Sequence, residues 1–351
     1  MPILEPTKEN IKYCADLIKA DQVIGMPTET VYGLAANAFS QKACEQIYIT
    51  KQRPPTDPLI VHVSSLEMLQ SVCVIKDFQK PVFEILQKAF WPGPLTFIFQ
   101  KSAAIPLVCT ANQETVGVRF PVHPVALQLI EASGPLAAPS ANLFGHVSPT
   151  RSTHVSDDFS EIYILNGDQS DIGIESTVLM IRESEIFIFR KGFVTKEKIQ
   201  QVLQQNNIQL PVNENQVSQS AVQVAPGCLT THYAINSHTV FASKNQCPIL
   251  GVTQSTIDPT VQTWIINCAD EATCEYLISS LHLTNPLKQQ IFDDPLKKYF
   301  DALRFIEKIG SKQLIIIPGK TVFETGKGEG TEASLFDRIF RSASGKWLKI
   351  E

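Results

Sequence analysis

The chain has 351 residues, an ordinary 44% of them hydrophobic, and a formal charge of −5 at pH 7. This length allows two domains that each bury a core, and the acidic balance argues against a protein held mainly by nucleic-acid phosphates. None of the eight cysteines forms a Cys-x-x-Cys pair, so we expect reduced, mostly buried thiols in a cytoplasmic protein. The N-terminus shows no signal-peptide pattern, and the longest apolar runs are of strand length, so no membrane span is expected.

Strand and helix patterns alternate through residues 1–205, which predicts one α/β domain. The last two predicted strands follow each other closely and should form a hairpin. Strands are expected at Val23–Met26, Leu59–Val63, Leu95–Phe99, Val116–Phe120, Ile162–Leu165, Thr177–Ile181 and Glu185–Phe189, and helices at Gln41–Lys51, Phe78–Phe90, His123–Ala132 and Lys196–Gln205.

Residues 206–226 are rich in Asn, Gln, Ser and Val without a clear period, which is typical of a linker. The alternation then resumes and predicts a small parallel α/β sheet. We therefore expect a first domain at 1–205, a linker or lid at 206–233 and a second domain at 234–351. In the second domain, strands are expected at Ile249–Val252, Thr263–Asn267 and Leu314–Ile317, and helices at Glu271–Leu281, Pro295–Ile309 and Glu332–Ala343.

Hydroxyl side chains follow the first predicted strand. Thr28, Thr30 and Tyr32 precede Gly33, and residues at even spacing share one face of an extended chain. The three hydroxyls would then point the same way, toward a polar ligand. Turn-forming threonines at a strand end are the alternative.

Two cations stand at the end of the first predicted helix. Lys51 and Arg53 are followed by Pro54 and Pro55, which stop the helix just before the strand that begins at Leu59. The cations would thus lie at a sheet edge, where open α/β sheets bind ligands, and both can hold phosphate oxygens. Two solvated cations at a helix C-terminus are the alternative.

Two polar residues lie inside predicted strands. His62 is either a satisfied core histidine or part of a site. Arg119 interrupts an apolar run, and a charge in such a place must be paired or meet a ligand. A carboxylate ligand and an internal salt bridge both fit Arg119.

Further polar side chains stand where later strands end or begin. Pro139–Asn142 offers Ser and Asn side chains that could bond a ligand, with Ser148 just beyond; a polar loop is the alternative. Gly173–Thr177 places hydroxyls at the mouth of another strand, and Arg190 ends its neighbour. The sequence contains no P-loop, no Gly-x-Gly-x-x-Gly and no Gly-x-Ser-x-Gly pattern, so those mechanisms are not predicted.

Six segments together resemble the YrdC-like family of L-threonylcarbamoyladenylate synthases, in its long, two-domain form. They occur in the family's order: Pro27–Leu34, Lys51–Val63, Trp91–Thr96, Val116–Pro121, Pro139–Asn142 and Gly173–Val178. The C-terminal third matches more weakly, through Ala225–Gly227, His232-Tyr233 and the helix around Asp337-Arg338. The resemblance implies an α/β fold: an N-terminal YrdC-like twisted mixed sheet with flanking helices, plus a small C-terminal Rossmann-like parallel α/β domain.

The resemblance also implies an activity. L-threonine, bicarbonate and ATP would give threonylcarbamoyl-AMP and pyrophosphate, which makes the expected enzyme a nucleotidyltransferase, and a tRNA-modifying transferase would use the product to form threonylcarbamoyladenosine. Mg²⁺ would accompany ATP and neutralise its phosphates. The alternatives are a double-stranded-RNA-binding, translation-associated protein and a related carbamoyl-adenylate-forming enzyme. The resemblance leaves room for weak RNA binding.

Site residues follow from the resemblance by position. Lys51 and Arg53 would be the catalytic pair, with Lys51 steadying the phosphates, and no metal ligand is assigned. The threonine site would comprise Thr30, His62, Arg119, Ala138 and Ser176, with Arg119 suited to the carboxylate. The ATP site would comprise Arg53, Asp57, Thr115, Ser140, Asn142, Ser148, Arg190 and Tyr233.

The chain departs from the family's pattern at three places. Gln52 stands where Gly is usual, and Asp57 stands where Asn is usual, which adds a negative charge near phosphates. Leu229–Thr231 replaces the cations that commonly precede the His-Tyr pair. Because segment 206–233 is long and aperiodic, we predict a mobile lid that brings Tyr233 to the nucleotide; a passive tether is the alternative.

Overall fold

The computed structural model divides the chain into two compact units. Unit 1 comprises residues 1–144 and 148–228, and unit 2 comprises residues 145–147 and 229–351. The structure describes residues 2–214, 238–243, 251–252, 257–258, 261–283, 286–291, 293–325, 330–344 and 346–349. Tyr233, most of the predicted lid and the first half of the strand expected at Ile249–Val252 lie outside these ranges.

Unit 1 is a layered α/β structure. Its strands are β1 (Ile3–Leu4), β2 (Ile24–Met26), β3 (Gly33–Asn37), β4 (Ile60–His62), β5 (Cys73–Val74), β6 (Leu95–Lys101), β7 (Thr115–Arg119), β8 (Leu136–Ala137), β9 (Tyr163–Leu165), β10 (Thr177–Ile181), β11 (Ile186–Arg190) and β12 (Val212–Glu214). Its helices are α1 (Lys8–Lys19), α2 (Gln41–Lys51), α3 (Leu66–Val72), α4 (Lys80–Phe90), α5 (Pro124–Ser133), α6 (Ser152–Asp158) and α7 (Lys196–Gln205).

These twelve strands join into one mixed sheet, as the family resemblance implies. The order is β1-β9-β2-β3-β8-β4-β7-β6-β10-β11-β12, and β5 pairs with β6. The predicted hairpin is confirmed, because β10 and β11 pair antiparallel. Other neighbours, such as β4 and β7, pair parallel, so the sheet contains both kinds of pairing. Strand β4 therefore lies near the middle of the sheet with β7 and β8 on its two sides.

Two apolar layers stabilise this sheet. The main core joins strand residues to the buried sides of five helices, among them Ile47 of α2, Leu86 of α4 and Leu203 of α7. A second cluster packs α1 and α5 against β2 and β8. Burying each such aliphatic side chain contributes about 1.5–3 kcal/mol, so both layers hold the strands that carry the polar residues.

Unit 2 is the small parallel domain that the sequence predicts. Its described strands are β13 (His238–Ser243), β14 (Gly251–Val252), β15 (Thr263–Asn267), β16 (Leu287–Gln290), β17 (Gln313–Ile317) and β18 (Trp347–Lys349), and its helices are α8 (Glu271–Ser280), α9 (Pro295–Lys308), α10 (Lys320–Thr325) and α11 (Gly330–Ser342). The strand order is β14-β18-β13-β17-β15-β16, and every pair among these strands is parallel.

The end of unit 1 differs from the sequence-based division at residue 205. Residues 206–214 do not leave the domain, because β12 pairs with β11 and adds the last strand to the large sheet. Val212 is buried there. The polar composition of this stretch conceals a strand because only one of its faces is covered.

Candidate active site

One face of the large sheet carries a row of polar side chains. The register pairs His62 of β4 with Arg119 of β7, and Arg119 with Thr96 of β6. Residues paired across adjacent strands project from the same face of a sheet. The three side chains therefore stand next to one another, although they are separated by at least 23 positions in the sequence.

Arg119 is buried in this row and its charge is paired. Its Nη2 donates to Glu29 Oε1 at 2.5 Å, its Nη1 to Thr30 Oγ1 at 2.8 Å, and its Nε to the Gly93 carbonyl at 3.3 Å. Glu29 Oε2 also accepts from the Val122 backbone N–H at 3.3 Å. Of the two interpretations of Arg119, the salt bridge is present. Three of the five guanidinium N–H groups have acceptors among the described residues, so two remain for a ligand.

His62 is a neutral member of the same row. Burial, helped by the positive charge of Arg119, lowers the pKa of His62 to about 3. Its Nδ1 has no hydrogen-bond partner among the described residues. The ring can therefore offer a neutral nitrogen but no positive charge to a ligand at pH 7.

The threonine-rich turn after β2 contributes two hydroxyls. Thr28 and Thr30 share a hydrogen bond of 2.9 Å, and Thr30 faces Arg119. Tyr32, which was expected to point the same way, instead donates to the Asp168 carbonyl at 2.7 Å and accepts from the Gly167 N–H at 3.0 Å. The prediction of three aligned hydroxyls is wrong because residues 27–32 form a turn rather than an extended strand.

A second set of hydroxyls continues the row on the other side of Arg119. Thr96 and Ser176 share a hydrogen bond of 2.8 Å, and Arg190 donates to the Ser176 carbonyl and hydroxyl, both at 3.1 Å. A Cβ at Gly192 would lie only 2.3 Å from the Thr177 nitrogen. Glycine at 192 thus permits the close approach of the segment that follows Arg190.

Lys51 and Arg53 form a separate, buried cationic cluster. Helix α2 ends at Lys51, and Gln52 takes a left-handed conformation with φ 52° and ψ 38°. Arg53 then turns back on its own loop, donating to the Asp57 carbonyl at 3.0 Å and the Pro58 carbonyl at 2.9 Å. Both cations are buried, so the alternative of two solvated charges is wrong.

Lys51 also contacts the small-residue segment after β8. Its ammonium donates to the carbonyls of Ser140 and Asn142. Gly33 forms a bridge with Ser140, and a Cβ at Gly33 would lie 3.2 Å from that of Ala138. The cationic cluster and the turn after β2 therefore hold this segment from two sides.

Asp57 completes the cationic cluster with an opposite charge. Its Oδ2 lies 2.9 Å from Arg53 Nη2. Burial raises the pKa of the Asp57 carboxyl, and the charges of Arg53, Arg190 and Lys51 oppose that rise. Arg190 is thus close enough to Asp57 to influence its carboxyl group, and it also donates to Ser176. It therefore lies between the cationic cluster and the polar row.

Three further residues were assigned to the site by resemblance, namely Ser148, Ala138 and Thr115, and they do not all lie near the polar row. Ser148 donates to Glu175 at 2.5 Å, beside Ser176. The Ala138 N–H is already bonded to the Ile60 carbonyl, so the carbonyl is what its backbone can offer. Thr115 begins β7 and lies four residues from Arg119, roughly 13 Å along the strand, so it is not part of the row.

Sequence reasoning missed two buried carboxylates and one hydroxyl. Glu29 and Glu175 stand inside motifs from which only the hydroxyls were selected, and Thr96 lies in a predicted strand. All three are buried. Acidic residues next to hydroxyl-rich turns were the available signal, because a buried carboxylate needs a cation or donors nearby.

An apolar cluster borders the polar row. Ile60, Ile98 and Val178 are buried together, with Met180 and Phe189 packed against them, separately from the main core. Gly117 pairs with both Ile60 and Ile98 and contributes no side chain there. This face can therefore contact both a charged and a flat apolar group.

Metal clusters and membrane-spanning helices are absent from the described part of the chain. No group of three or more His, Cys, Asp or Glu residues could hold a metal ion there. None of its helices has the length and apolar character needed to span a membrane. The six cysteines of the described residues are buried, as expected.

Family models match almost the whole chain. The model described as "Telomere recombination" matches residues 16–192, and the model described as "Threonylcarbamoyl-AMP synthase, C-terminal domain" matches residues 194–344. The two matches meet at residues 192–194, between β11 and α7. Both the sheet with the polar row and the smaller parallel unit are thus covered.

Three curated relatives of this chain are named threonylcarbamoyl-AMP synthase. The threonylcarbamoyl-AMP synthase of Pyrococcus abyssi is 40% identical over 233 residues, which cover 66% of this chain and 67% of that protein. The synthase of Bacillus subtilis is 40% identical over 238 residues, 66% of each chain. That of Schizosaccharomyces pombe is 37% identical, and the match covers 55% of this chain and about half, 53%, of that protein.

Solved structures extend the likeness to the full length. The crystal structure of P. abyssi Sua5 complexed with L-threonine matches with a TM-score of 0.83 and 26% identity, covering 100% of both chains. The structure of a double alanine variant of P. abyssi Sua5 matches with a TM-score of 0.82 and 26% identity, covering 100% of this chain and 98% of the other.

Proposed function

The chain belongs to the YrdC-like family of threonylcarbamoyl-AMP synthases, and on that premise we propose that it joins L-threonine, bicarbonate and ATP into threonylcarbamoyl-AMP and pyrophosphate. It is a nucleotidyltransferase in this proposal. The single observation that carries it is Arg119, a buried guanidinium with two N–H groups left beside hydroxyls of Thr30 and Ser176. Such a group suits the carboxylate of a small hydroxylated amino acid.

Threonine occupies the polar row in this proposal. The Arg119 guanidinium takes its carboxylate, while the Thr30 and Ser176 hydroxyls and the neutral His62 ring contact its polar atoms. A neutral histidine is consistent with this role, because a second positive charge beside Arg119 would repel the amine of threonine in its ammonium form. The Ala138 carbonyl supplies a further acceptor.

ATP occupies the side of the site with the cationic cluster. Arg53, Lys51 and Arg190 offset the charge of the phosphates, and the segment of Ser140 and Asn142, with Ser148, contacts the nucleotide. The apolar cluster around Ile98 and Met180 offers a surface for the purine ring. Thr115, at the far end of β7, contacts ATP only if the nucleotide extends along that strand.

The reaction then needs positioning and charge stabilisation rather than a covalent nucleophile. The threonine ammonium gives one proton to bicarbonate, which breaks down to carbon dioxide and water. The neutral amine then attacks the carbon of carbon dioxide, a C–O π electron pair moves onto oxygen, and the nitrogen releases a second proton to solvent as the carbamate forms. A carbamate oxygen attacks the α-phosphorus, the bond to the bridging oxygen breaks, and pyrophosphate leaves with the electron pair. The cations of the cluster stabilise the charge that develops on the phosphates.

The donor set also fits a magnesium ion that enters with ATP. Magnesium is commonly held by one or two carboxylates together with phosphate oxygens, and Asp57 is a buried carboxylate within the cationic cluster. When bound, the ion neutralises phosphate charge. Lys51 and Arg53 act on the nucleotide from the protein side, with Lys51 also holding the carbonyls of Ser140 and Asn142.

The alternative of an RNA-binding protein receives less support from the site. Its cations Lys51, Arg53, Arg119 and Arg190 are buried, whereas binding to a nucleic-acid backbone needs an exposed basic surface. In the proposed pathway, a transferase that modifies tRNA accepts the threonylcarbamoyl group. Weak RNA binding stays a prediction.

Pyrophosphate release tests the proposal. We expect release to require threonine, bicarbonate and ATP together, and to stop when any one is omitted. Serine, which keeps the carboxylate and hydroxyl but lacks the methyl group, is the matched control. Release that is independent of the amino acid would contradict the proposal.

A further inference from the structure

Asp57 is a buried carboxylate that pairs with the Arg53 charge but accepts no aligned hydrogen bond from the described residues. The residue is 1% exposed. Its backbone is fixed, because its N–H donates to the Pro54 carbonyl at 3.2 Å and its carbonyl accepts from Tyr48 and Arg53. The side chain is therefore held in one place by the loop.

Neither carboxylate oxygen accepts an aligned hydrogen bond from the described residues. Arg53 Nη2 is 2.9 Å from Oδ2, so the pair attracts, but the angle does not make a hydrogen bond. Buried carboxylates are normally satisfied by donors or by a metal ion. Because Oδ2 faces Arg53, Oδ1 is the oxygen left for another partner.

The charge of Asp57 opposes the function of its neighbours. Lys51, Arg53 and Arg190 suit phosphates, and a carboxylate among them weakens their attraction for a polyanion. A divalent cation between the carboxylate and the phosphates would convert the repulsion into attraction.

We propose that Asp57 is a direct ligand of the divalent cation that enters with ATP, through Oδ1 and together with phosphate oxygens. The inference rests on the proposed function, because it takes the phosphates to lie at the cationic cluster. One carboxylate plus substrate phosphates is a usual arrangement for magnesium. The competing role is purely positional, in which Asp57 only holds the Arg53 side chain.

Calorimetric titration of ATP in excess Mg²⁺ and in EDTA separates these roles. In the wild-type chain we expect Mg²⁺ to tighten ATP binding by about 10- to 100-fold, a range taken from the change in metal affinity when a hydrogen-bond partner of a metal ligand is removed. In Asp57→Asn we expect ATP in EDTA to bind more tightly than to the wild type, and Mg²⁺ to change the affinity by less than about threefold.

A direct readout of the metal accompanies the titration. The affinity of Mn²⁺ for the complex of the chain with ATP, followed by electron paramagnetic resonance, should fall by about 10- to 100-fold in Asp57→Asn. Asp77→Asn, which alters an exposed carboxylate paired with Lys80, is the matched control and should leave Mn²⁺ binding unchanged. Thermal denaturation confirms that each variant is folded, and Asp57→Glu, which keeps the charge, should retain metal-dependent ATP binding.

The outcomes distinguish the inference from the function on which it rests. Equal Mg²⁺ dependence in the wild type and Asp57→Asn overturns the inference and leaves the proposed function standing. If Asp57→Asn loses the same ATP affinity with and without metal, Asp57 only positions Arg53, and the inference is overturned as well. A wild-type chain that binds no ATP in either condition overturns both.

Discussion

Removal of the Arg119 charge is the sharpest test of the site. Arg119→Ala alone leaves the Glu29 carboxylate buried without its cation, which costs about 3–5 kcal/mol of stability and confuses binding with folding. We therefore compare Glu29→Gln with the double variant Glu29→Gln/Arg119→Met. The double variant contains no charge from this buried pair. Glu29→Gln keeps the Arg119 charge without its carboxylate partner, and the glutamine amide can still accept from the Val122 N–H. Thermal denaturation therefore has to show that both variants are folded before their threonine affinities are compared.

The expected loss of threonine affinity follows from the role of Arg119 as the charged partner of the threonine carboxylate. Truncating the charged partner of a bound carboxylate costs about 2–5 kcal/mol, which corresponds to a rise in the threonine Kd of about 30-fold to several thousand-fold. Glu29→Gln keeps the bonds of Arg119 to Thr30 and to the Gly93 carbonyl, so it should retain threonine binding. Calorimetric titration with threonine measures both variants, and ATP titration checks that the rest of the site is intact.

The difference in threonine affinity between the two variants decides whether Arg119 binds the threonine carboxylate. A purely structural Arg119 would give equal threonine affinities in Glu29→Gln and in the folded double variant. A difference of less than about threefold, under ~1 kcal/mol, would refute the assignment of the threonine carboxylate to Arg119.

Four other perturbations test the cationic cluster, the fold and the domain boundary. Alanine at both Lys51 and Arg53 should weaken ATP binding in calorimetry while threonine binding persists; normal ATP affinity would contradict the phosphate role. Gln52→Gly should raise the unfolding free energy by about 0.5–1 kcal/mol in urea denaturation, because φ is 52° at this C-terminal cap and glycine tolerates it. His62 has a pKa lowered to about 3 in the fold against about 6.5 unfolded, so its stabilisation is present above pH 6.5 and is lost as the pH falls; the wild type should lose about 2 kcal/mol by pH 5 that His62→Gln keeps. A chain that ends at Cys228 should fold, and threonylcarbamoyl-AMP should have a shorter lifetime on it than on the full chain. A chain that ends at residue 205 lacks β12 and should melt at a lower temperature than the chain that ends at Cys228. Equal melting temperatures of these two chains would contradict the position of the boundary.

Local patterns in the sequence determined the main elements and their class. The helices α2 and α7 have the predicted bounds, Gln41–Lys51 and Lys196–Gln205, because their apolar spacing and their Ser and Thr N-caps are local features. The hairpin of β10 and β11 was predictable for the same reason. The family's motifs then gave the activity and most of the polar residues.

Small-residue strands were beyond the reach of those patterns. Strand β3 has the sequence Gly-Leu-Ala-Ala-Asn and is buried between β2 and β8. Its residues have low intrinsic strand propensity. This strand therefore forms because it pairs with β2 and β8, and its local sequence does not predict it.

The partners of the polar residues were decided only by the tertiary structure. The sequence shows Arg119 as a charge in an apolar strand and leaves a salt bridge and a ligand equally open. The register of β4, β6 and β7 places it beside His62 and Thr96, and the turn after β2 brings Glu29 to its guanidinium. Periodicity encodes which face a residue takes, but its neighbours across the sheet depend on pairing between strands distant in sequence, which the packing of the whole domain sets.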